Sequence, residues 1–259
     1  MQVHPGNCQH IGSRSSQQDA FGFSDKDDLD FVTHGGVLAV VADGMGGMAL
    51  GGEASHLAVQ VFLHSYMAKA ADETVPMALL KALDDANQVV INLSQEVDEE
   101  DVGTTLVAAV VHGAVLHWVS VGDSRLYLLR QGKLTQLTQD HVFAVELDRD
   151  AANGLISLEE AQSHPERPAL NSYLGLLELD LIDQNPQPFT LVSCDQVLLC
   201  SDGLYAAVNA NEIAACWNGD SQRSAEELIN RVLAKERPGQ DNLTVAIFGL
   251  DGTPNPSVQ

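Results

Sequence analysis

With 259 residues and 45% hydrophobic composition, the chain is long enough to bury a substantial core, read here as one domain over residues 1–250 with a frayed tail at 251–259. Its 13 Lys and Arg against 36 Asp and Glu leave a formal net charge of -23, which repels a phosphate backbone and argues against nucleic acid as a partner. No apolar run approaches the roughly 20 residues that cross a bilayer, and residues 1–16 lack the basic-then-apolar pattern of a secretory signal, so the expectation is a cytoplasmic protein without membrane contact.

Short apolar runs rich in β-branched residues predict strands at 37–42, 106–111, 115–121, 125–129, 196–200 and 243–248. Two helices are predicted between the first and second of these. Residues 53–70 carry Ala54, Leu57, Ala58, Val61 and Phe62 at helical spacing, and residues 76–93 carry Leu79, Leu80, Leu83, Ala86 and Val90. The links His112-Gly113-Ala114 and Gly122-Asp123-Ser124 read as hairpin turns, which implies antiparallel pairing. Residues 143–189 contain short helical pieces around 142–151 and 158–163. They are broken by Asn153-Gly154 and by Pro165, Pro168, Pro186 and Pro188, so the stretch reads as a flap-like insertion over one sheet edge. A closing helix at 224–235 precedes the last strand, and the segregation of helices from hairpins places the fold in the α+β class. Cys8, Cys194, Cys200 and Cys216 form no Cys-x-x-Cys pair, which indicates neither a zinc site nor a disulfide framework.

The chemistry is concentrated where acidic residues meet strand ends. Asp43, Asp123 and Asp202 each follow an apolar strand, whereas Asp19 precedes Phe21-Gly22-Phe23 and Asp241 precedes residues 243–248. In antiparallel pairing those two kinds of end meet, so all five carboxylates can gather on one rim. Like charges so gathered raise one another's pKa unless a counter-ion sits among them. An all-oxygen donor set suits Mg²⁺ or Mn²⁺, whereas zinc would recruit histidine or cysteine. The glycines that follow Asp43 and Asp202 suit a backbone that turns sharply and presents its carbonyl.

The ordered set Arg14-x-x-x-Gln18-Asp19, Asp43-Gly44-Met45-Gly46-Gly47, Gly103-Thr104-Thr105, Gly122-Asp123-Ser124-Arg125, Leu137-Thr138-x-Asp140-His141, Ser201-Asp202-Gly203-Leu204 and Asp241-Asn242-x-Thr244 closely resembles the type 2C protein phosphatases, bacterial members included. The resemblance spans about residues 10–250. It implies a four-layer α/β/β/α sandwich and hydrolysis of phosphoserine and phosphothreonine by a water that bridges two Mn²⁺ or Mg²⁺ ions. By the same resemblance, Asp43 bridges the two cations, the Gly44 carbonyl binds one, and Asp202 and Asp241 bind the other. Asp19 orients water, Asp123 helps hold a third, weaker cation, and Arg14 grips the phosphate with its planar fork. The implied partners are phosphorylated proteins supplied by a cognate serine/threonine kinase, and the implied state is a monomer.

Two positions depart from the family pattern. Many relatives carry a histidine where Met45 stands, and a thioether has no proton to give, so the leaving oxygen is expected to take its proton from a metal-bound water or another donor. Ser172 occupies a place where arginine is usual, so flap order or substrate docking is expected to differ. His56, His64, His112 and His117 are read as non-catalytic, and His141 as structural. The acidic run at 96–101 reads as a solvated loop that could favour basic phosphopeptides. Two alternatives remain open: a binding module that has kept the fold without the activity, and a hydrolase of small phosphoesters.

Overall fold

The computed structural model describes residues 1–45, 50–97, 102–185 and 187–251. Gly46 and Gly47 of the glycine-rich motif, most of the acidic run, Pro186 and the tail from 252 lie outside the described residues.

The predicted strands are apolar at nearly every position because both of their faces are covered. In β3 (Val37–Asp43), Leu38, Val40 and Ala42 point to one core, while Val37, Ala39 and Val41 point to another. β4 (Leu106–His112) divides in the same way, with Leu106, Ala108 and Val110 on the first side and Val107, Ala109 and Val111 on the second. A strand buried on both faces loses the polar alternation of a surface strand.

Two antiparallel sheets stack face to face. One runs β2 (Asp19–Phe23), β3, β4, β5 (Val115–Val121) and β8 (Asp183–Gln184), with β9 (Phe189–Thr190) also paired to β5. The other runs β1 (Gln2–His10), β11 (Leu243–Asp251), β10 (Gln196–Cys200), β6 (Arg125–Arg130) and β7 (Lys133–Gln136). The core between them holds Val41, Val107, Trp118, Leu126, Val197 and Phe248, among others.

The outer face of the first sheet is covered by α2 (Gly51–Met67) and α3 (Val75–Val97). Ala54, Ala58, Phe62 and Tyr66 form a buried stripe of α2, four residues apart. The outer face of the second sheet is covered by α6 (Asp202–Tyr205), α7 (Ala210–Ala215) and α8 (Ser221–Leu233), through Leu204, Ile213, Ala225, Leu228, Ile229 and Val232. A shorter helix, α1 (Leu29–Gly35), precedes β3. The result is the α/β/β/α sandwich that the resemblance implied.

One sequence expectation needs correction, and several elements were not foreseen. Gly122-Asp123-Ser124 is no hairpin, because β5 and β6 belong to different sheets and the chain crosses between them there. Gly122 makes the crossing with φ 92°, and a Cβ on it would sit 2.7 Å from the Thr105 side chain. β1 was not foreseen: it is an edge strand paired on one side only, a position that tolerates Pro5 and polar residues. Nor were β8 and β9, two residues each.

The insertion carries α4 (Phe143–Ala152) and α5 (Leu158–Ser163). Its return limb is tied into the sandwich: Leu174 and Thr104 exchange main-chain hydrogen bonds of 2.8 and 3.1 Å, and the Asn87 side chain bonds Gly175 and Leu176. Ser172 is buried and donates to the Leu181 carbonyl at 2.7 Å, so it pegs the limb internally.

Candidate metal-dependent active site

The site is built where strand ends of both sheets reach the same edge of the sandwich. Asp19 and Asp43 are direct cross-strand partners in the β2–β3 ladder, which puts the first and last residues of two strands side by side. On the opposing sheet, Cys200 pairs with Val245 on one side and Arg125 on the other. That register brings Asp202, just past β10, level with Asp123 before β6 and within electrostatic reach of Asp241, two residues before β11. The five acidic residues predicted to converge therefore share one rim, and their mutual electrostatic influence expresses it: Asp43 feels the charges of Asp19, Asp202, Asp123 and Asp241.

Main-chain packing explains the glycines differently from the sequence reading. Neither Gly44 nor Gly203 has a positive φ. A Cβ on Gly44 would collide with the Gly51 carbonyl, and one on Gly203 with the Asn242 carbonyl, so glycine is required by close backbone approach. The Gly44 amide donates to the Gln18 carbonyl at 3.0 Å, while among the described residues nothing donates to its own carbonyl oxygen.

Asp19 is the most enclosed of the set, with 1% exposure. Its Oδ2 accepts from Ser201 Oγ at 2.8 Å and Thr244 Oγ1 at 2.7 Å, and the Thr244 amide donates to Ser201 Oγ at 3.0 Å. Its Oδ1 is buried without a hydrogen-bond partner among the described residues. Burial raises the Asp19 pKa, opposed by the Thr244 and Ser201 hydroxyls. Asp43 is held well above the ordinary carboxylate range by burial first and by the neighbouring carboxylates second. Asp202 is pushed up to about 7 by burial, then by Asp123, Asp241 and Asp19.

Arg14 enters from the segment before β2, and its Nη2 lies 2.6 Å from Asp241 Oδ2. The two side chains are 48% and 40% exposed, so the pair sits at the mouth. Asn242 braces that mouth: its side chain accepts from the Gln18 amide at 2.7 Å and donates to the carbonyls of Ile11 and Ser16. His141 supports the floor, receiving the Gly122 N–H on Nδ1 at 3.2 Å and returning its own main-chain N–H to the Gly122 carbonyl at 3.0 Å. Met45 donates its main-chain N–H to the Gly103 carbonyl, and a Cβ on Gly103 would meet the Met45 sulfur and the Tyr173 ring at 2.7 and 2.6 Å. Of the histidines read as non-catalytic, His56 bonds the Gly52 carbonyl and His112 the Thr33 carbonyl.

Ser201, Thr244, Asn242 and Thr105 stood in the sequence motifs without an assigned role. Thr105 Oγ1 receives the Asp43 amide at 3.0 Å and bonds Ser124 Oγ at 2.7 Å, linking the two sheets beneath the rim. Tyr205 stood outside the motifs. It lies one turn after Asp202, and its hydroxyl reaches Asp123.

Among the described residues no three acidic, histidine or cysteine side chains are gathered closely enough to hold a metal ion by themselves. The donors nonetheless fit hard divalent cations: oxygen only, one buried carboxylate oxygen without a partner among the described residues, a main-chain carbonyl at Gly44, and carboxyl pKa values raised by burial and then by one another.

A family model described as Protein phosphatase 2C matches residues 8–244. The serine/threonine phosphatase stp of Listeria welshimeri is 36% identical over 216 residues, covering 81% of this chain and 83% of that one. The crystal structure of the Mycobacterium tuberculosis serine/threonine phosphatase PstP/Ppp superposes with a TM-score of 0.77 at 31% identity, covering 96% of this chain and 99% of that one. The catalytic domain of PstP in complex with two manganese ions superposes with a TM-score of 0.75 at 29% identity, again over 96% and 99%.

Proposed function

The chain belongs to the protein phosphatase 2C family of serine/threonine phosphatases, and from that premise we propose that it releases phosphate from phosphoserine and phosphothreonine in proteins at the carboxylate rim described above. The observation that carries the proposal is the convergence of Asp19, Asp43, Asp123, Asp202 and Asp241 from both sheets, with only the Arg14 guanidinium ion-paired to them among the described residues. When bound, two divalent cations, Mn²⁺ or Mg²⁺, supply a water acidified toward neutrality and the positive charge that the rim lacks.

Asp43, whose carboxyl feels the charges of the other four aspartates, would hold the cations together with the Gly44 carbonyl, Asp202 and Asp241. Asp19, held by Ser201 and Thr244 with Oδ1 unpaired, presents a fixed acceptor that orients water. Arg14 grips the phosphate by exchanging Asp241 for phosphate oxygens. The pair is exposed, and exposed pairs are worth roughly 0–1 kcal/mol, so this exchange costs little. Met45 offers no proton, which leaves the departing serine or threonine oxygen to be protonated from solvent. Asp123 is proposed to help hold a third, weaker cation.

The substrates are proposed to be proteins phosphorylated by a cognate serine/threonine kinase, acted on by a monomer. Phosphate release from a phosphothreonine peptide in Mn²⁺ tests the reading. Wild type is expected to turn over, and Asp202→Ala and Asp241→Ala are expected to lose that turnover. Undiminished rates in both variants, or turnover confined to p-nitrophenyl phosphate, would reject it.

A further inference from the structure

Asp123 sits where the chain passes from one sheet to the other, so neither ladder fixes its side chain. Its orientation comes from Tyr205. The Tyr205 hydroxyl lies 3.0 Å from Asp123 Oδ2 and 3.0 Å from the Asp123 main-chain oxygen, a shared donation that clamps the carboxylate against its own backbone.

The ring is itself held. The Arg125 guanidinium carbon lies 3.5 Å from the Tyr205 ring centroid, a stacking distance for a cation on an aromatic face. Arg125 cannot slide off, because Nε and Nη2 grip Asp140 at 3.0 and 2.6 Å and Nη1 donates to the Tyr127 hydroxyl at 3.0 Å. The chain of contacts thus runs Asp140, Arg125, Tyr205, Asp123. Tyr205 closes the four-residue helix that Asp202 begins, so one short element carries Asp202 and the group that orients Asp123. The Asp123 charge is felt at both Asp43 and Asp202, which sets it on the same space as the proposed cation ligands.

We propose that Tyr205 is a positioning residue: its hydroxyl, with the ring fixed by Arg125, holds the Asp123 carboxylate so that its remaining oxygen meets a third, weakly bound divalent cation. This rests on the reading of Asp123 as a cation ligand. Partners that orient a metal ligand typically change affinity 10- to 100-fold when removed. The hydroxyl is therefore expected to govern the weak site and leave the tight pair alone.

Calorimetric Mn²⁺ titration of the full chain tests this, with Tyr205→Phe, which keeps the stacked ring and removes only the donor. Wild type is expected to bind a tight pair and one weaker ion. Tyr205→Phe is expected to keep the tight pair and weaken the third ion about tenfold. Asp123→Asn is expected to lose the third ion, with no further change on adding Tyr205→Phe. If Asp123→Asn leaves the weak ion in place, or wild type binds only two ions, the assignment of Asp123 fails. If Asp123→Asn removes the weak ion while Tyr205→Phe binds it as wild type does, the Tyr205 inference alone fails. Should Tyr205→Phe not fold by circular dichroism, Arg125→Lys, which removes the guanidinium plane beneath the ring, is expected to weaken the third ion while keeping the tight pair. Unchanged affinity in that variant overturns the inference.

Discussion

Asp202→Asn removes one negative charge from the rim, and in metal-free buffer that loss is expected to stabilise the protein. A carboxyl that binds its proton more tightly in the folded than in the unfolded chain favours folding at low pH. This contribution is complete below the ordinary value of 3.8 and is lost as pH rises through about 7, the value to which burial and then Asp123, Asp241 and Asp19 push Asp202. The displacement corresponds to at most ~4 kcal/mol, and screening by water at the open rim reduces it to ~2 kcal/mol. Asparagine does not titrate, so the variant escapes this penalty. For a chain of this size ~2 kcal/mol is about 4–8 °C in Tm. Thermal melts of wild type and Asp202→Asn in EDTA, from pH 4 to pH 8, are expected to diverge in favour of the variant by that amount. Adding millimolar Mn²⁺ at pH 8 is expected to reverse the order, because a cation that binds the folded state stabilises it by mass action and needs the carboxylate. A variant less stable than wild type in EDTA at pH 8 would refute the claim that the rim carries uncompensated charge.

Other variants probe separate parts of the account. Gly203→Ala forces a Cβ into the Asn242 carbonyl and is expected to lower stability by about 1–3 kcal/mol in chemical denaturation. Arg14→Ala is expected to raise KM for a phosphopeptide about tenfold with a change in Tm equivalent to less than ~1 kcal/mol, since its partner Asp241 is exposed; steady-state kinetics beside a melt separate the two effects. Thr244→Val removes a hydroxyl that lowers the Asp19 pKa, so that pKa rises further and the acidic limb of the kcat/KM profile is expected to move to higher pH. An unmoved limb would mean that Asp19 does not act at the rim.

The inner strands were legible because burial on both faces leaves their apolar character in plain runs, as in Val37 to Ala42 of β3 and Leu243 to Phe248 of β11. The rim was legible for a related reason: aspartates flanking such runs have nowhere to go but the strand ends. β1 was not, because an edge strand can carry Pro5, Gly6 and Asn7 and still pair with β11. The crossing at Gly122 to Ser124 looked like a hairpin because three residues between two strands carry no mark of which sheet each joins. The need for glycine at 44 and 203 was visible, but its cause, contact with backbone distant in sequence, was not. Tyr205 gave no signal at all, since its meaning depends on Asp123 and Arg125 arriving from across a sheet boundary.

The central claim is that the carboxylates of two sheets share a pair of hard cations. An anomalous difference map from a crystal of this protein grown in millimolar Mn²⁺ measures it directly. The account predicts two strong peaks, one between Asp43 and the Gly44 carbonyl and one between Asp43 and the pair Asp202 and Asp241. A map without density at that rim would contradict it.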